Sequence, residues 1–432
     1  MFRSAVFYCS VLVLLFNGCG GPGSDGNDGA SNPSTPTNPT NPTVRQTAYE
    51  PEENLSRDDV YQNGRVVHVR TSDELSSAIE HAEPYTTILM APGRYEEVYA
   101  TFPEGIHHIT LKGEGDQTVI VPKSYKQQSA FVLYNALSKE TQTHDINFVD
   151  FSVEGDLQDA KEFLYVDGGR YVENEEEGPQ GQGRPYGPYN IYIAHISFKN
   201  LFMGLYSHLY AHDWTVDSCN VKHSTHSHFW YMMGWHLAMI NSTIEDPTHT
   251  GLSIRGYYPE GEVHTYIDES VDHDKCYGNK YVLDRGSRTP ENGFLASDDW
   301  THLIENNRFK GSSDDSGEHS LAFVGIGYGI YDDDHPCDAE RTYLPPQNIR
   351  IVNNQFDTHG GDGLIVYSIL IDAWQGLNND SLASINGLTI TGNKLIRKDD
   401  AEKFIEMGDT GNTATDEELN RSEIHDNKIT TK

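Results

Sequence analysis

The feature that most constrains this chain is a short pattern that recurs along it: apolar-x-apolar-x-x-(Asn or small)-x-apolar. It reads Ile349-x-Ile351-x-x-Asn354-x-Phe356 and Leu388-x-Ile390-x-x-Asn393-x-Leu395. Looser copies run from Ile146 to Val153, Ile191 to Phe198, Trp214 to Val221, Leu237 to Ile244, His302 to Phe309 and Ser422 to Ile429. The closing positions Phe198, Val221 and Ile244 are spaced by 23 residues, and longer gaps precede Phe309 and Phe356, as inserted loops would produce. A repeat of about two dozen residues, made of short strands and turns, cannot bury its apolar side alone and must stack on its neighbours.

The pattern therefore predicts an all-β solenoid, a single parallel β-helix with long loops, each coil about 4.8 Å above the last. Asn307, Asn354, Asn393 and Asn427 share one slot and would stack inside one turn, their amides satisfying each other and the bent backbone. Cys219 falls in the same slot, which reads as a small buried core residue. Ahead of the coils, Thr71-Ser72-Asp73 signals a helix start, and Leu75, Ala78, Ile79 and Ala82 follow at helical spacing. A helix over 73–83 would cap the first coil, whose sheet edge is otherwise open. Thr87 to Met90 reads as a strand and Ala91-Pro92-Gly93 as a turn.

Composition narrows the function classes. Of 432 residues, 65 are acidic and 31 basic, a formal charge of −34, which argues against binding nucleic acid through its phosphates. An apolar share of 36% is too low for a multi-span membrane protein, and 25 Tyr with 16 Phe are too many for a disordered acidic chain. Arg3 followed by the apolar run Ala5 to Phe16 reads as a secretory signal over residues 1–18, with Cys19 as the lipidated first residue of the mature chain. Residues 19–60, rich in Pro, Thr, Asn and Gly, read as a disordered tether, and 61–432 as the β-helix domain. The expectation is a monomeric outer-membrane lipoprotein that touches the membrane through its anchor. Export permits disulfides, and Cys276 and Cys337, both in polar loops, are expected to pair.

The capping helix, the turn in TILMAPGRY and the Asn-bearing coils resemble the right-handed parallel β-helix superfamily that includes pectate and alginate lyases, over roughly residues 65–430. The resemblance is one of architecture. The pectate-lyase pattern Arg-x-Pro-x-x-Arg is absent. Of the polygalacturonase series, only Asp298-Asp299 and His359-Gly360-Gly361 are present, as fragments. The resemblance implies a fold and an acidic-polysaccharide substrate, and it transfers no catalytic residue.

Residues 195–260 hold His195, His208, His212, His223, His226, His228, His236 and His249. Strands starting at Gly204, His228 and Gly251 would turn Leu205, Phe229 and Leu252 inward, and Tyr206, His208, Trp230, Met232, Ser253 and Arg255 outward. For β-elimination on a uronate, His208 would be the base, Arg255 the carboxylate clamp and Tyr257 or Tyr258 the proton donor. Tyr206, Trp230, Ser253 and Tyr258 would contact the sugar. His226, His228 and His249 could converge on a transition metal. Oxygen-rich loops such as Asp332-Asp333-Asp334 offer Ca²⁺ ligands, an ion the resemblance implies for the lyases. The competing readings are a non-catalytic glycan-binding or adhesin-type solenoid and a glycoside hydrolase, which needs a carboxylate pair.

Overall fold

The computed structural model describes residues 48–49, 61, 64–123, 128–156, 161–167, 186–207, 210–224, 228–247, 250–254, 265–267, 280–282, 300–311, 321–327, 348–358, 365–372, 387–397, 403–407 and 423–431. Val44–Lys432 forms one compact unit. Among the described residues, three parallel sheets of eleven, ten and nine strands carry the architecture; we call them A, B and C. A coil visits them in turn. His212–Asp217 lies in A, Asn220–Ser224 in B and His228–Met232 in C, and the chain then re-enters A at Trp235–Ile240. The chain is a parallel β-helix, with the right-handed winding that parallel crossovers take. Each of the eight sequence copies is one strand of A, a bend and one strand of B.

The core is a set of columns. Leu111, Phe148, Ile193, Val216, Met239, Ile304, Ile351 and Ile390 lie in register through sheet A and are fully buried. Each such side chain contributes roughly 1.5–3 kcal/mol by leaving water, so the stack as a whole holds the coils together. His302 occupies the neighbouring inward column beside Leu237. Burial pushes its imidazole down to about 3, so it is a neutral core residue. Its ring nitrogens meet the Thr301 hydroxyl at 2.9 Å and the Met232 carbonyl at 3.3 Å.

The A-to-B corner is where the Asn slot lies. The Oδ1 atoms of Asn354, Asn393 and Asn427 each accept the backbone N–H of the Asn one coil earlier, at 2.8–2.9 Å. Their Nδ2 atoms donate to the carbonyls of Ile304, Ile351 and Ile390. Ser242 and Cys219 continue the slot upward, Ser242 N–H donating to Asn307 and Cys219 N–H to Ser242 Oγ. Cys219 is buried, its thiol pushed up to about 12, and it is inert core. The residue before each slot carries the bend with positive φ: Asp150, His195, Ser218, Asn241, Asn306, Asn353, Gly392 and Asp426.

The helix runs Ser72–Glu80, with Thr71 Oγ1 accepting the Glu74 N–H as N-cap and Leu75 and Ile79 buried on the first coil. It stops short of residue 83 because His81 leaves helical geometry, so Ala82 packs on the core from outside the helix. At the N-terminal side, Ala48 and Tyr49, which the sequence places in the tether, already rest on the domain. Ala48 packs with Trp300 and Leu303, and the Tyr49 hydroxyl donates to Asp145.

Candidate functional site

The C-to-A corner differs from the A-to-B corner in what the chain does there. The connections of residues 168–185, 328–347, 373–386 and 408–422, and most of 255–299, all run from a C strand to the following A strand. Loops on a rigid scaffold are where binding sites concentrate. At the entry to sheet A, one column of residues has positive φ between 51° and 63°: Tyr85, His108, Asp145, Asn190, Asp213 and His236. Asn, Asp and His tolerate this backbone region best. The left-handed residue breaks strand alternation. His107 and Ile109 would otherwise share a face, yet Ile109 is buried and His107 stays partly exposed at the corner.

The residues just before that column form a ring stack. His107 to His144 is 4.9 Å between centroids, His144 to Tyr189 4.8 Å, Tyr189 to His212 5.0 Å and His212 to Trp235 4.5 Å, with interplanar angles of 4–19°. The stack spans five coils, or about 19 Å at the usual strand spacing. Stacked rings close each other's faces and turn their edges outward. The edges carry ring nitrogens and a phenol, so this corner offers hydrogen bonds at regular intervals.

Two carboxylates organise the imidazoles. Asp145 Oδ2 accepts from His144 Nδ1 at 2.6 Å and lies 3.7 Å from His108 Nδ1. Its Oδ1 accepts from Asn190 Nδ2 at 2.9 Å and from the Tyr49 hydroxyl at 3.2 Å. Asp213 accepts from His212 Nδ1 at 2.9 Å and from His236 Nδ1 at 3.1 Å. Burial pushes both carboxyls up, but the imidazole hydrogen bonds, with Asn190 at Asp145, outweigh it and hold both below the usual range, Asp213 the further. Burial, with His144 and His108 nearby, lowers His107. Gln142 Nε2 donates to the Gly187 carbonyl at 2.6 Å and faces His212 Nε2 at 3.5 Å, so His212 keeps its Nδ1–H on Asp213 and a lone pair on Nε2.

On sheet C, next to this corner, Tyr165, Tyr206 and Tyr231 form a second, partly buried stack in register, with centroids 4.9 and 5.4 Å apart. Tyr206 thus lies on the outer face, its ring covered on both sides by tyrosines.

Trp230 requires a correction. It pairs with Leu205 and Leu252, is fully buried, and donates its indole N–H to Ser207 Oγ at 3.2 Å, so it is core and no sugar platform. Met232 is likewise buried, and the outward residue of that strand is Tyr231. The cause is register. Sheet A repeats at 23 residues, Tyr189 to His212 to Trp235, but Leu205 pairs with Trp230 at an offset of 25 and Trp230 with Leu252 at 22. Phe229 is buried as well, its ring seated where Gly204 has no side chain, so two consecutive bulky residues point inward at the strand's start. Ser253 stands beside Tyr231 but is 2% exposed and closed to a ligand.

His208, Arg255, Tyr257, Tyr258, His226, His249, Cys19, Cys276 and Cys337 lie outside the described residues. The backbone of His228 opens a strand and pairs with Thr250, an offset of 22 where the three-histidine metal reading assumed 23. The histidine excess at 195–260 has a conformational component: His195, His223 and His236 all occupy positive-φ corners. His107, His108, His144, Asp145 and Asp213 escaped the sequence reading. Their signal was present as the dipeptides His107-His108, His144-Asp145, Tyr189-Asn190, His212-Asp213 and Trp235-His236, each opening an A strand.

Fold and corner together define a parallel β-helix with a histidine-aspartate ladder on one edge. No protein-family model matches the chain, and no curated protein matches it. Among solved structures it is similar to an alginate lyase from Paenibacillus sp. str. FPU-7, with a TM-score of 0.47 and 11% identity over 84% of this chain and 95% of that one. It is also similar to the tailspike protein of E. coli bacteriophage HK620 in complex with a pentasaccharide, with a TM-score of 0.37 and 12% identity over 83% and 63% of the two chains. The A-module of mannuronan C-5 epimerase AlgE4 from Azotobacter vinelandii matches at 0.37 and 12% over 84% and 96%. At these identities the likeness concerns the fold.

Proposed function

We propose that this protein binds an acidic polysaccharide along the C-to-A corner and cleaves it by β-elimination, as an exported lipoprotein anchored through Cys19. One observation carries the reading: hydrogen-bonding ring edges and carboxylate-held imidazoles repeat at strand spacing along one edge, where a repeating polymer can meet them in step. Five histidines share this corner with two aspartates, so most of its hydrogen-bonding groups are imidazoles. His212 is the favoured base. Asp213 fixes its tautomer and would stabilise the imidazolium, while Nε2 takes the proton beside the uronate carboxylate, the C–H pair becomes the new C=C bond, and the sugar oxygen leaves with the C–O pair and is protonated by water. Glycoside hydrolysis fits less well. It needs one protonated carboxyl, and among the described residues of this corner Asp145 and Asp213 are both held ionised. Glu162, which burial does push up, lies at the other end of a C strand.

The low exposure of His212 and the use of both Asp213 oxygens within the fold favour a second reading, a glycan-binding solenoid without turnover. Incubation with alginate, pectate and chondroitin, followed by ultraviolet absorbance of the unsaturated uronate, separates the two. Product from the wild type and a loss of about 100- to 10,000-fold in His212→Gln are expected. Binding without product would leave the binder, and full activity in His212→Gln would remove His212 as the base.

A further inference from the structure

We propose that His108, His144 and Asp145 form a site for one divalent transition-metal ion of the zinc type. The three side chains come from two successive coils, and one ligating atom from each lies within 4.8 Å of the other two. An ion about 2.0–2.2 Å from each nitrogen and oxygen fits among atoms so placed. His108 Nδ1 lies 3.7 Å from Asp145 Oδ2, a separation that suits two ligands of one ion, and 2.9 Å from His107 Nδ1, so the ion would take the place of the proton that those two imidazoles share. The 2.6 Å between His144 Nδ1 and Asp145 Oδ2 holds a proton, and the ion would take that proton's place as the pair opens slightly. Two imidazoles and one carboxylate are a zinc-type donor set, whereas Ca²⁺ takes six to eight oxygens.

The surroundings are those of a built site. Asp145 Oδ1 is anchored by Asn190 from the next coil and by Tyr49 from the N-terminal segment, which leaves Oδ2 aimed at the histidines. The three side chains are 31%, 24% and 22% exposed, so an ion can enter and keep positions for water or a ligand oxygen. The corresponding trio His212, Asp213 and His236 differs. There Asp213 spends one oxygen on each imidazole, and all three side chains are only 12–13% exposed. The same residue types thus give a carboxylate oxygen open to an ion at one end of the ladder and, two coils or about 10 Å away, a carboxylate with both oxygens spent on imidazoles. The inference stands apart from the glycan reading. If both hold, the ion supplies the positive charge that a uronate carboxylate needs on an acidic protein.

The test uses the full chain, stripped with a chelator and titrated with Co²⁺ as a visible probe, with Zn²⁺ in competition and no glycan present. The expected result is one Co²⁺ per chain, with a visible absorption band that Zn²⁺ abolishes. Asp145→Asn and His144→Gln should lose the band, while His228→Gln keeps it. Tyr49→Phe, which removes one hydroxyl, should weaken binding about 10-fold without changing the melting of the metal-free protein. It serves as the second measurement if either ligand variant folds poorly. A wild type that takes up neither ion, ligand variants that bind as the wild type does, or unchanged affinity in Tyr49→Phe would overturn the site. Because no glycan is used, its failure leaves the lyase and binder readings untouched.

Discussion

The two corners of this solenoid solve one backbone problem with different side chains. Both turn the chain through a column of left-handed residues, and both set a ladder beside it. At the A-to-B corner the ladder is made of amides that saturate each other and the backbone; Asn307, Asn354 and Asn393 are 1–2% exposed. At the C-to-A corner the ladder is made of rings and carboxylates, partly exposed, and long connections leave from it. A side chain with every hydrogen bond spent on its own fold can hold a turn but cannot meet a ligand. The difference teaches that position in the repeat sets the backbone, while burial decides whether the residue there is structural or available.

The comparison can be sharpened by substitution. The largest effect is expected for Trp230→Ala, which should cost about 3–5 kcal/mol in urea unfolding because it empties the core. Tyr231→Ala, one residue on but in the outer stack, should cost about 1 kcal/mol, the worth of a lost ring contact. Equal costs would break the assignment of inner and outer faces.

Asn354→Ala should follow at about 2–4 kcal/mol, since it orphans the buried Asn307 N–H and the Ile304 carbonyl. Glycan-derived product per folded molecule should stay as in the wild type. A matching fall in turnover would mean that the amide ladder serves the site as well.

The last effect is a slope, small at neutral pH and growing with acidity. His302 is neutral when folded, with its pKa lowered to about 3, and titrates near 6.5 when unfolded. Below that value the unfolded chain binds the extra proton, so the stability His302 confers is complete above about pH 6.5 and is lost as pH falls toward about 3. The loss approaches about 1.4 kcal/mol per pH unit within this window. His302→Gln should flatten that limb in denaturant midpoints measured between pH 4 and 7, a range chosen to lie roughly within the window. An unchanged slope would show that His302 does not set it.

Much of the fold was legible because strand alternation and the Asn slot are local signals repeated many times. The copies at Ile349 and Leu388 matched a strand of A, a bend and a strand of B residue for residue. The site was less legible. His108 meets His144 across 36 residues that include strands of sheets B and C, and no local period announces that contact. The histidine excess at 195–260 drew attention to residues of which His195, His223 and His236 serve the backbone. The sheet-C face was misread at Trp230 because Phe229 and Trp230 both point inward there, where strict alternation would send one of them out.

By itself, then, the sequence determined that this chain stacks coils, where it bends and which slot holds amides, because those follow from spacing within one strand and turn. Only the tertiary structure decided which face of each C strand looks inward and which histidines share a carboxylate. Those depend on the offset between coils, 23 through sheet A here but 25 and 22 through sheet C, and that offset follows from the lengths of the intervening connections. A one-residue change in such a connection turns every side chain of the following strand to the other face, so no pattern within the strand can fix it.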